Sequence, residues 1–392
     1  MRAEDNLLED FNFFSPTKIE YGPGKLDYLA EGLSQLGVKR ALLVTDSGVR
    51  EAGLTERVEG ILAQAEIEYR TFEEVEPNPK DYNVHEGAGI GRAFEAEALV
   101  ALGGGSVIDC AKGIEISMAY EGESITDFGG SIQVNRATPA LVAIPTTAGT
   151  GSEVTFSSVI TDTEKGFKTS IRSPEIAPDL ALIDPDLTET LPPKVAASTG
   201  VDALTHAIEA FTVDVATPLS DALALRAIEL IGGNLREAVF EKTDRARAAL
   251  SLGSLLAGAA FNNSDVGSVH CMAEALGGLY DAPHGICNSV LLPHVMEYNR
   301  KYRKTRYARI ARALGGECES EEDCSLRAVR LVEDLVEAMK LPSLKSLGLK
   351  ERDLKQLAAM AAENLSTESN PRPMSEEDYL NLFERVLQKE ES

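Results

Sequence analysis

The chain lacks the features that would place it in a membrane, on nucleic acid or outside the cell. No apolar run approaches the roughly 20 residues of a membrane-spanning helix, because charged or polar side chains interrupt every candidate. The opening MRAEDNLLEDFNFF has no apolar stretch behind a basic region and no small-residue cleavage site, so no secretory signal is expected and the cytoplasm is the expected compartment. Basic residues are outnumbered: 38 Lys and Arg against 63 Asp and Glu give a formal charge of −25, with no basic block to offset it. Such a polyanionic surface repels phosphate backbones and anionic lipid, which argues against nucleic acid and membranes and for a small-molecule partner. Five cysteines are an odd number without framework spacing. Cys110, Cys271 and Cys287 lie in apolar or motif contexts and read as buried thiols. Cys318 and Cys324 end the acidic stretch of GGECESEEDC and read as part of an exposed reduced loop rather than a disulfide or metal clip. No Ser-His-Asp or Cys-His arrangement and no positioned acid pair offers hydrolytic chemistry.

What is present is enough chain for two cores: 392 residues, with 43% hydrophobic and 26% charged residues. The first half alternates short apolar runs with helical patterns, which predicts a parallel sheet with crossover helices. ALLVTD (41–46), ALVALGGGS (98–106) and ALVAIPTTAGTGSE (140–153) share one design, an apolar run followed by a polar or small-residue loop. Ligands of such sheets bind at the carboxyl ends of the strands. FNFFSPTKIEYGPG (11–24) reads as extended, with turns at Pro16 and at Gly22–Gly24. From about Pro192 strand signals almost vanish, and segments near 195–212, 218–241, 244–262, 266–280, 285–300, 325–340, 352–365 and 375–388 carry helical apolar spacing. The expected architecture is an α/β nucleotide-binding domain over residues 1–190 and an all-α domain over 191–392, without a linker or repeats.

Gly104, Gly105 and Ser106 follow a predicted strand and open a predicted helix. Glycines there let the backbone approach a pyrophosphate, and the helix amides face it, although a tight turn uses the same residues. The run is not the GxGxxG fingerprint of the standard dinucleotide fold. Asp109 and Lys112 fall in the first turns of that helix, and Asp109 is counted with the candidate cofactor site. Asp46, at an earlier strand end, can accept from ribose hydroxyls and repel a 2′-phosphate, or it can cap a helix.

The five histidines are at 85, 206, 270, 284 and 294. Asp202 and His206, four apart in GVDALTHAIEAF, lie about one turn apart on one face of a helix. Either they form a hydrogen-bonded pair or, with His270 and His284, they complete three imidazoles and a carboxylate suited to a divalent metal with room for an exogenous oxygen. The apolar residues around the pair favour an inward-facing, partnered site. His294 reads as structural and His85 as a surface residue.

Together the motifs resemble one family. VTD (44–46), EPNP (76–79), GGGSVIDCAK (103–112), IPTTAGTGSEVT (144–155), GVDALTHAIEAF (200–211), LGGLYDAPHGICNSVLLPHVMEYN (276–299) and NPRPM (370–374) stand in the order and spacing of iron-containing alcohol dehydrogenases, over residues 11–388. The resemblance implies a dehydroquinate synthase-like architecture and an NAD-linked oxidoreductase acting on a small primary alcohol or aldehyde. It places a metal, Fe²⁺ by family habit although Zn²⁺ also occupies such sites, on Asp202, His206, His270 and His284. It places the nucleotide, NAD rather than NADP, on Asp46, Asn78, Gly104, Gly105, Ser106, Thr146, Thr147, Thr150 and Lys168. Polyol dehydrogenases, hydroxyacid–oxoacid transhydrogenases and dehydroquinate synthases share the scaffold and are the rival reactions. A silent nucleotide-binding protein is the rival outside enzymes.

Two departures stand out. Glu274 occupies a position, one turn after His270, where many members have histidine; it is expected to face the substrate and act in catalysis. Ser264-Asp265 replaces Ala-Gly, with Ser264 expected to cap the next helix and Asp265 to favour its positive end. The phenylalanines at 11, 13 and 14 leave apolar surface beside a pairing edge, which with the resemblance predicts a homodimer.

Overall fold

The computed structural model describes residues 10–130 and 134–390. They form two compact units, one spanning Ser15–Leu191 and the other Pro192 onward together with the residues up to Phe14. The start of the chain thus groups with the helical unit, not with the sheet: Phe14 N–H donates to Asn263 Oδ1 at 2.6 Å.

The sheet unit runs β1 (Lys18–Tyr21), α1 (Leu29–Gln35), β2 (Arg40–Val44), α2 (Ser47–Glu51), α3 (Leu54–Gln64), β3 (Glu68–Phe72) and α4 (Asp81–Phe94). It continues through β4 (Ala98–Gly103), α5 (Gly105–Ala119), β5 (Ala140–Pro145), β6 (Ser157–Asp162), β7 (Phe167–Arg172) and β8 (Leu180–Ile183). Six strands form one parallel sheet in the order β1-β8-β5-β4-β2-β3. Both faces are covered, which is why β2, β4 and β5 read as unbroken apolar runs. Leu42, Val44, Leu99, Ala101, Leu141 and Ala143 pack on one side with residues of α4 and α5. Ala41, Leu43, Val100, Leu102, Val142 and Ile144 pack on the other with residues of α1 and α3. The chain leaves β2 toward β3 and leaves β4 toward β5, in opposite directions across the sheet. The carboxyl ends of β2 and β4 therefore flank a topological switch point, where open sheets of this kind take their ligands.

The antiparallel pair β6–β7 is absent from the sequence reading. Its SSVITD strand alternates half-buried and buried residues and is amphipathic rather than continuously apolar, so a search for apolar runs passes over it.

The helical unit comprises α6 (Pro193–Thr212), α7 (Pro218–Phe240), α8 (Asp244–Asn262), α9 (Ser268–Tyr280), α10 (His284–Asn299), α11 (Lys304–Ala313), α12 (Glu321–Ala338), α13 (Leu354–Ala362) and α14 (Glu376–Glu390). α11 is the helix the sequence reading lacks; KTRYARIARA buries only Tyr307, Ala308, Ile310 and Ala311 among its charges. α6 is buried on nearly every side from Ala196 to Thr212 and packs against α7, α8 and α10. Gly285 permits the last of these contacts: a Cβ there would stand 2.5 Å from the Ser198 carbonyl oxygen. Only glycine lets the first turn of α10 lie against the α6 backbone.

Two expectations are corrected. Cys318 and Cys324 form a disulfide with Cα atoms 5.2 Å apart, in place of the exposed reduced loop. Cys324 is fully buried in the first turn of α12, whose N-terminus is capped by Ser320 accepting from Asp323 N–H at 3.2 Å, so the loop is folded back tightly enough to bring the thiols together. Ser264 does not cap α9; its hydroxyl donates to Ala260 O at 3.0 Å, back along α8. Asp265 instead holds the 366–369 turn, accepting from the Ser366 hydroxyl at 3.0 Å and the Ser369 hydroxyl at 2.6 Å. Cys110, Cys271 and Cys287 are buried thiols outside the disulfide, as expected. Among the described residues, no helix is long and apolar enough to cross a membrane. Phe11, Phe14 and Ile19 are exposed, and among the described residues β1 pairs only with β8, on one side.

Candidate metal centre and nucleotide loops

Asp202 and His206 project from successive turns of α6. His270 lies in the first turn of α9, and His284 opens α10. One donor atom each from Asp202, His206 and His270 lies within 4.8 Å of the others, and all three residues are buried. His284 stands at the margin, with its Nε2 3.8 Å from Asp202 Oδ1. The rings nest together: His206 stacks between Phe261, at 4.4 Å between centroids, and His270, at 4.5 Å.

Glu209, three residues after His206 on α6, organises this set. Its Oε1 accepts from Val269 N–H at 2.7 Å, supplying the cap that α9 lacks from Ser264. Its Oε2 lies 2.5 Å from His270 Nδ1. With the carboxylate accepting, Nδ1 carries the proton and the Nε2 lone pair is left for the other side of the ring. Gly267, the residue before α9, leaves room for the carboxylate; a Cβ would lie 3.0 Å from Oε1. Burial lowers the proton affinity of His270, but the bonded Glu209 carboxylate outweighs it and the net shift is upward. Burial likewise works against the Asp202 carboxylate, yet the imidazoles of His206, His284 and His270 and the Asn288 amide hold its pKa below the ordinary value. The Asn288 Nδ2 lies 2.5 Å from Asp202 Oδ1, 3.2 Å from His270 Nε2 and 3.1 Å from His284 Nε2.

This donor set fits a divalent cation. It offers imidazole nitrogens, a carboxylate whose ionised form is favoured, a His270 ring oriented by Glu209 and apolar surroundings. Glu274, one turn beyond His270, is half-buried, and its Oε2 accepts from Asn364 Nδ2 at 2.6 Å. Its charge is among those raising the His270 pKa, so it is an electrostatic neighbour of the set. His294 is partly buried on α10, and burial lowers its pKa to about 4; His85 is exposed.

In the sheet unit, three loops end neighbouring strands. Asp46, after β2, caps α2 by accepting from Val49 N–H at 2.9 Å. Gly104, Gly105 and Ser106 join β4 to α5, whose N-terminus opens at Gly105. Thr146, Thr147 and Thr150 lie on the loop after β5, and a Cβ on Gly105 would meet Thr150 Cγ2 at 2.5 Å, so the two loops are in contact through the glycine. Asn78 adopts φ 51° and accepts from Lys168 Nζ at 2.8 Å, which brings these two candidate contacts together.

Asp109 is turned into the protein rather than toward the loop mouth. It accepts from the Ser152 hydroxyl at 2.5 Å and from Val159 N–H at 3.0 Å. Lys112, fully buried, donates to Ser152 O, Thr155 O and Ser157 O at 2.8, 2.9 and 2.8 Å, and to both side-chain hydroxyls of Ser152 and Thr155. Burial brings its pKa down to about 8. Asp109 and Lys112 fix the backbone after the 146–152 loop.

Comparison with known proteins agrees over both units. The profile described as iron-containing alcohol dehydrogenase matches residues 16–185, and that of the Fe-containing alcohol dehydrogenase family, C-terminal, matches 196–387. The chain belongs to the iron-containing alcohol dehydrogenase family. It is 40% identical to the 1,3-propanediol dehydrogenase of Klebsiella pneumoniae, over 98% of this chain and 99% of that one. It is 37% identical to the NADPH-dependent butanol dehydrogenase of Clostridium saccharobutylicum, over 95% and 97%. The crystal structure of a 1,3-propanediol oxidoreductase superposes with a TM-score of 0.93 at 40% identity, covering 96% of this chain and all of that one. This member of the family is therefore an enzyme, an alcohol dehydrogenase.

Sequence reasoning missed Glu209 and Asn288. Both were within reach of the helical arithmetic that paired Asp202 with His206: Glu209 is seven residues from Asp202, and Asn288 is four from His284. If Glu209 sets the tautomer, Glu209→Gln places an N–H against either Val269 N–H or His270 Nδ1. We expect the variant to fold and to bind a divalent cation about 10- to 100-fold more weakly. Chelator competition on purified protein measures this, and unchanged affinity would remove Glu209 from the centre.

Proposed function

We propose that the enzyme interconverts a small primary alcohol and its aldehyde with NAD(H), using a divalent cation, Fe²⁺ by the family's habit, held by Asp202, His206, His270 and His284. The observation that carries this reading is the convergence of Asp202 Oδ1 and the imidazole nitrogens on one buried region, with His270 oriented by Glu209. A cation held there would supply Lewis acidity toward a substrate oxygen, and a nicotinamide nucleotide held at the strand ends would supply the hydride chemistry. The protein's part is to orient the ligands, keep the surroundings dry and hold the nucleotide at the strand ends. For the nucleotide we propose Asp46, Asn78, Gly104, Gly105, Ser106, Thr146, Thr147, Thr150 and Lys168 as contacts, with Asp109 acting from behind them. The similarity to a propanediol dehydrogenase and a butanol dehydrogenase favours uncharged alcohols or diols as substrates. The domain division proposed on function is a nucleotide-binding unit ending near residue 190 and a metal-binding unit after it. A homodimer fits the exposed Phe11 and Phe14 and the open side of β1, and a stable monomer in sedimentation at micromolar concentration would rule it out.

The central test is a panel of primary alcohols, diols and aldehydes, run in both directions on anaerobically purified, Fe²⁺-loaded protein with added nucleotide. Turnover is expected on at least one alcohol–aldehyde pair, and His284→Ala should lose both metal and turnover; full activity in that variant would overturn the ligand assignment.

For the nucleotide, a phosphate dianion beside Asp46 costs at least ~1 kcal/mol, a several-fold preference for NAD. Asp46→Gly should relax that preference, and a wild-type enzyme with higher kcat/KM for NADP would contradict it.

For Glu274 we propose a role near the substrate, where its charge favours neutral alcohols and its carboxylate accepts a proton. Glu274→Gln, which keeps a side chain able to bond Asn364, should lower kcat for alcohol oxidation at neutral pH with metal content unchanged, and should improve any activity on hydroxyacids. Identical kinetics from pH 6 to 10 would leave Glu274 a bystander.

A further inference from the structure

Asn288 lies on α10 one turn after His284 and is fully buried. Its Nδ2 faces Asp202 Oδ1, His270 Nε2 and His284 Nε2 at 2.5, 3.2 and 3.1 Å. An amide nitrogen has two protons, so three acceptor atoms are gathered on a donor that can serve only two at a time. Those three are the atoms assigned above to the cation, so whatever cation they hold also faces this amide. The other end of the group is in the opposite condition: Asn288 Oδ1 is buried and has no hydrogen-bond partner among the described residues. A buried amide oxygen without a partner is costly, and an N–H pointed at a cation is repelled. A half-turn about the terminal side-chain torsion exchanges the two atoms, removes the repulsion and gives the orphaned oxygen a partner. That torsion is soft, and the ends of the group are similar in size.

We propose that Asn288 belongs to the metal centre, its side-chain oxygen turned to the cation when one is bound, and that it sets the affinity and coordination number of the site. The inference rests on the proposed metal reading of Asp202, His206, His270 and His284. It adds an uncharged oxygen donor to a set otherwise made of imidazoles and one carboxylate. Such an oxygen suits a harder ion such as Fe²⁺ better than a four-coordinate zinc arrangement. A role confined to bridging the ligands through N–H would leave Oδ1 without a purpose, and the two roles differ in what a carboxylate at 288 would do.

The test uses the full-length protein, depleted of metal by chelation and titrated with Co²⁺, whose visible spectrum reports coordination number. Wild type, Asn288→Ala and Asn288→Asp are compared, with thermal unfolding to verify that each folds. Asn288→Ala is expected to bind Co²⁺ at least about tenfold more weakly and with more intense visible bands, as loss of a donor gives. Asn288→Asp, which keeps an oxygen and discards the N–H, should restore wild-type affinity or better, with a spectrum resembling wild type. If Asn288→Asp binds as weakly as Asn288→Ala or more so, the N–H end is the working end and the proposal falls. It falls as well if Asn288→Ala matches wild type in affinity and spectrum. Failure of wild type to bind Co²⁺ at one ion per chain would sink the metal reading instead, so the two failures are separable.

Discussion

The Glu209 carboxylate is the joint of the helical unit. Anchored on α6, it gives one oxygen to the buried amide of Val269 in the first turn of α9 and the other to the ring of His270. One side chain thereby satisfies a helix terminus, fixes a tautomer and couples the two helices that carry three of the four proposed ligands. A carboxylate this deeply buried is tolerated only because both oxygens are engaged. Gly267 and Gly285 complete the arrangement by removing side chains where α9 meets Glu209 and where α10 meets α6.

The sheet unit solves its own positioning problem with a buried cation instead. Lys112 reaches from α5 to three carbonyl oxygens and two hydroxyls of the 152–157 segment, with Asp109 accepting beside it. Loops at strand ends are free to move unless something behind them is rigid. Here that backing is an ammonium group with its hydrogen-bonding capacity filled, which favours one loop conformation without occupying the surface a nucleotide would use.

The parts of this architecture that were legible in the sequence were those written in a single period. Continuous apolar runs gave β2, β4 and β5, and the 3.6-residue period gave most of the helices. β6–β7 and α11 were hidden because β6 is amphipathic and α11 is a short helix whose few buried residues are interspersed with Lys and Arg. The proposed ligand residues, of which Asp202, His206 and His270 converge, could be named from their type, their spacing and the family resemblance. Their supports share the ligands' helical period, Glu209 seven residues from Asp202 and Asn288 four from His284, but that period does not say which glutamate or asparagine will also meet partners on other helices. The expectation for Ser264 and Asp265 went astray for the same reason. Ser264 and Asp265 look like a helix start, yet the α9 N-terminus was already served from α6, leaving Asp265 to bind a turn a hundred residues away. The cysteine loop was misread because the tight return into α12 is a matter of geometry rather than composition.

Placing Asp202, His206 and Glu209 on one helix also makes the centre a matter of reading frame. An added or deleted residue between 203 and 208 would turn everything beyond it by about 100°, swinging Glu209 away from α9 while leaving every side chain of the set in the sequence. Related chains should accordingly vary in length within the connections between helices and keep a constant count across this stretch. A gap falling there in any alignment would signal the loss of the centre more surely than a changed ligand would.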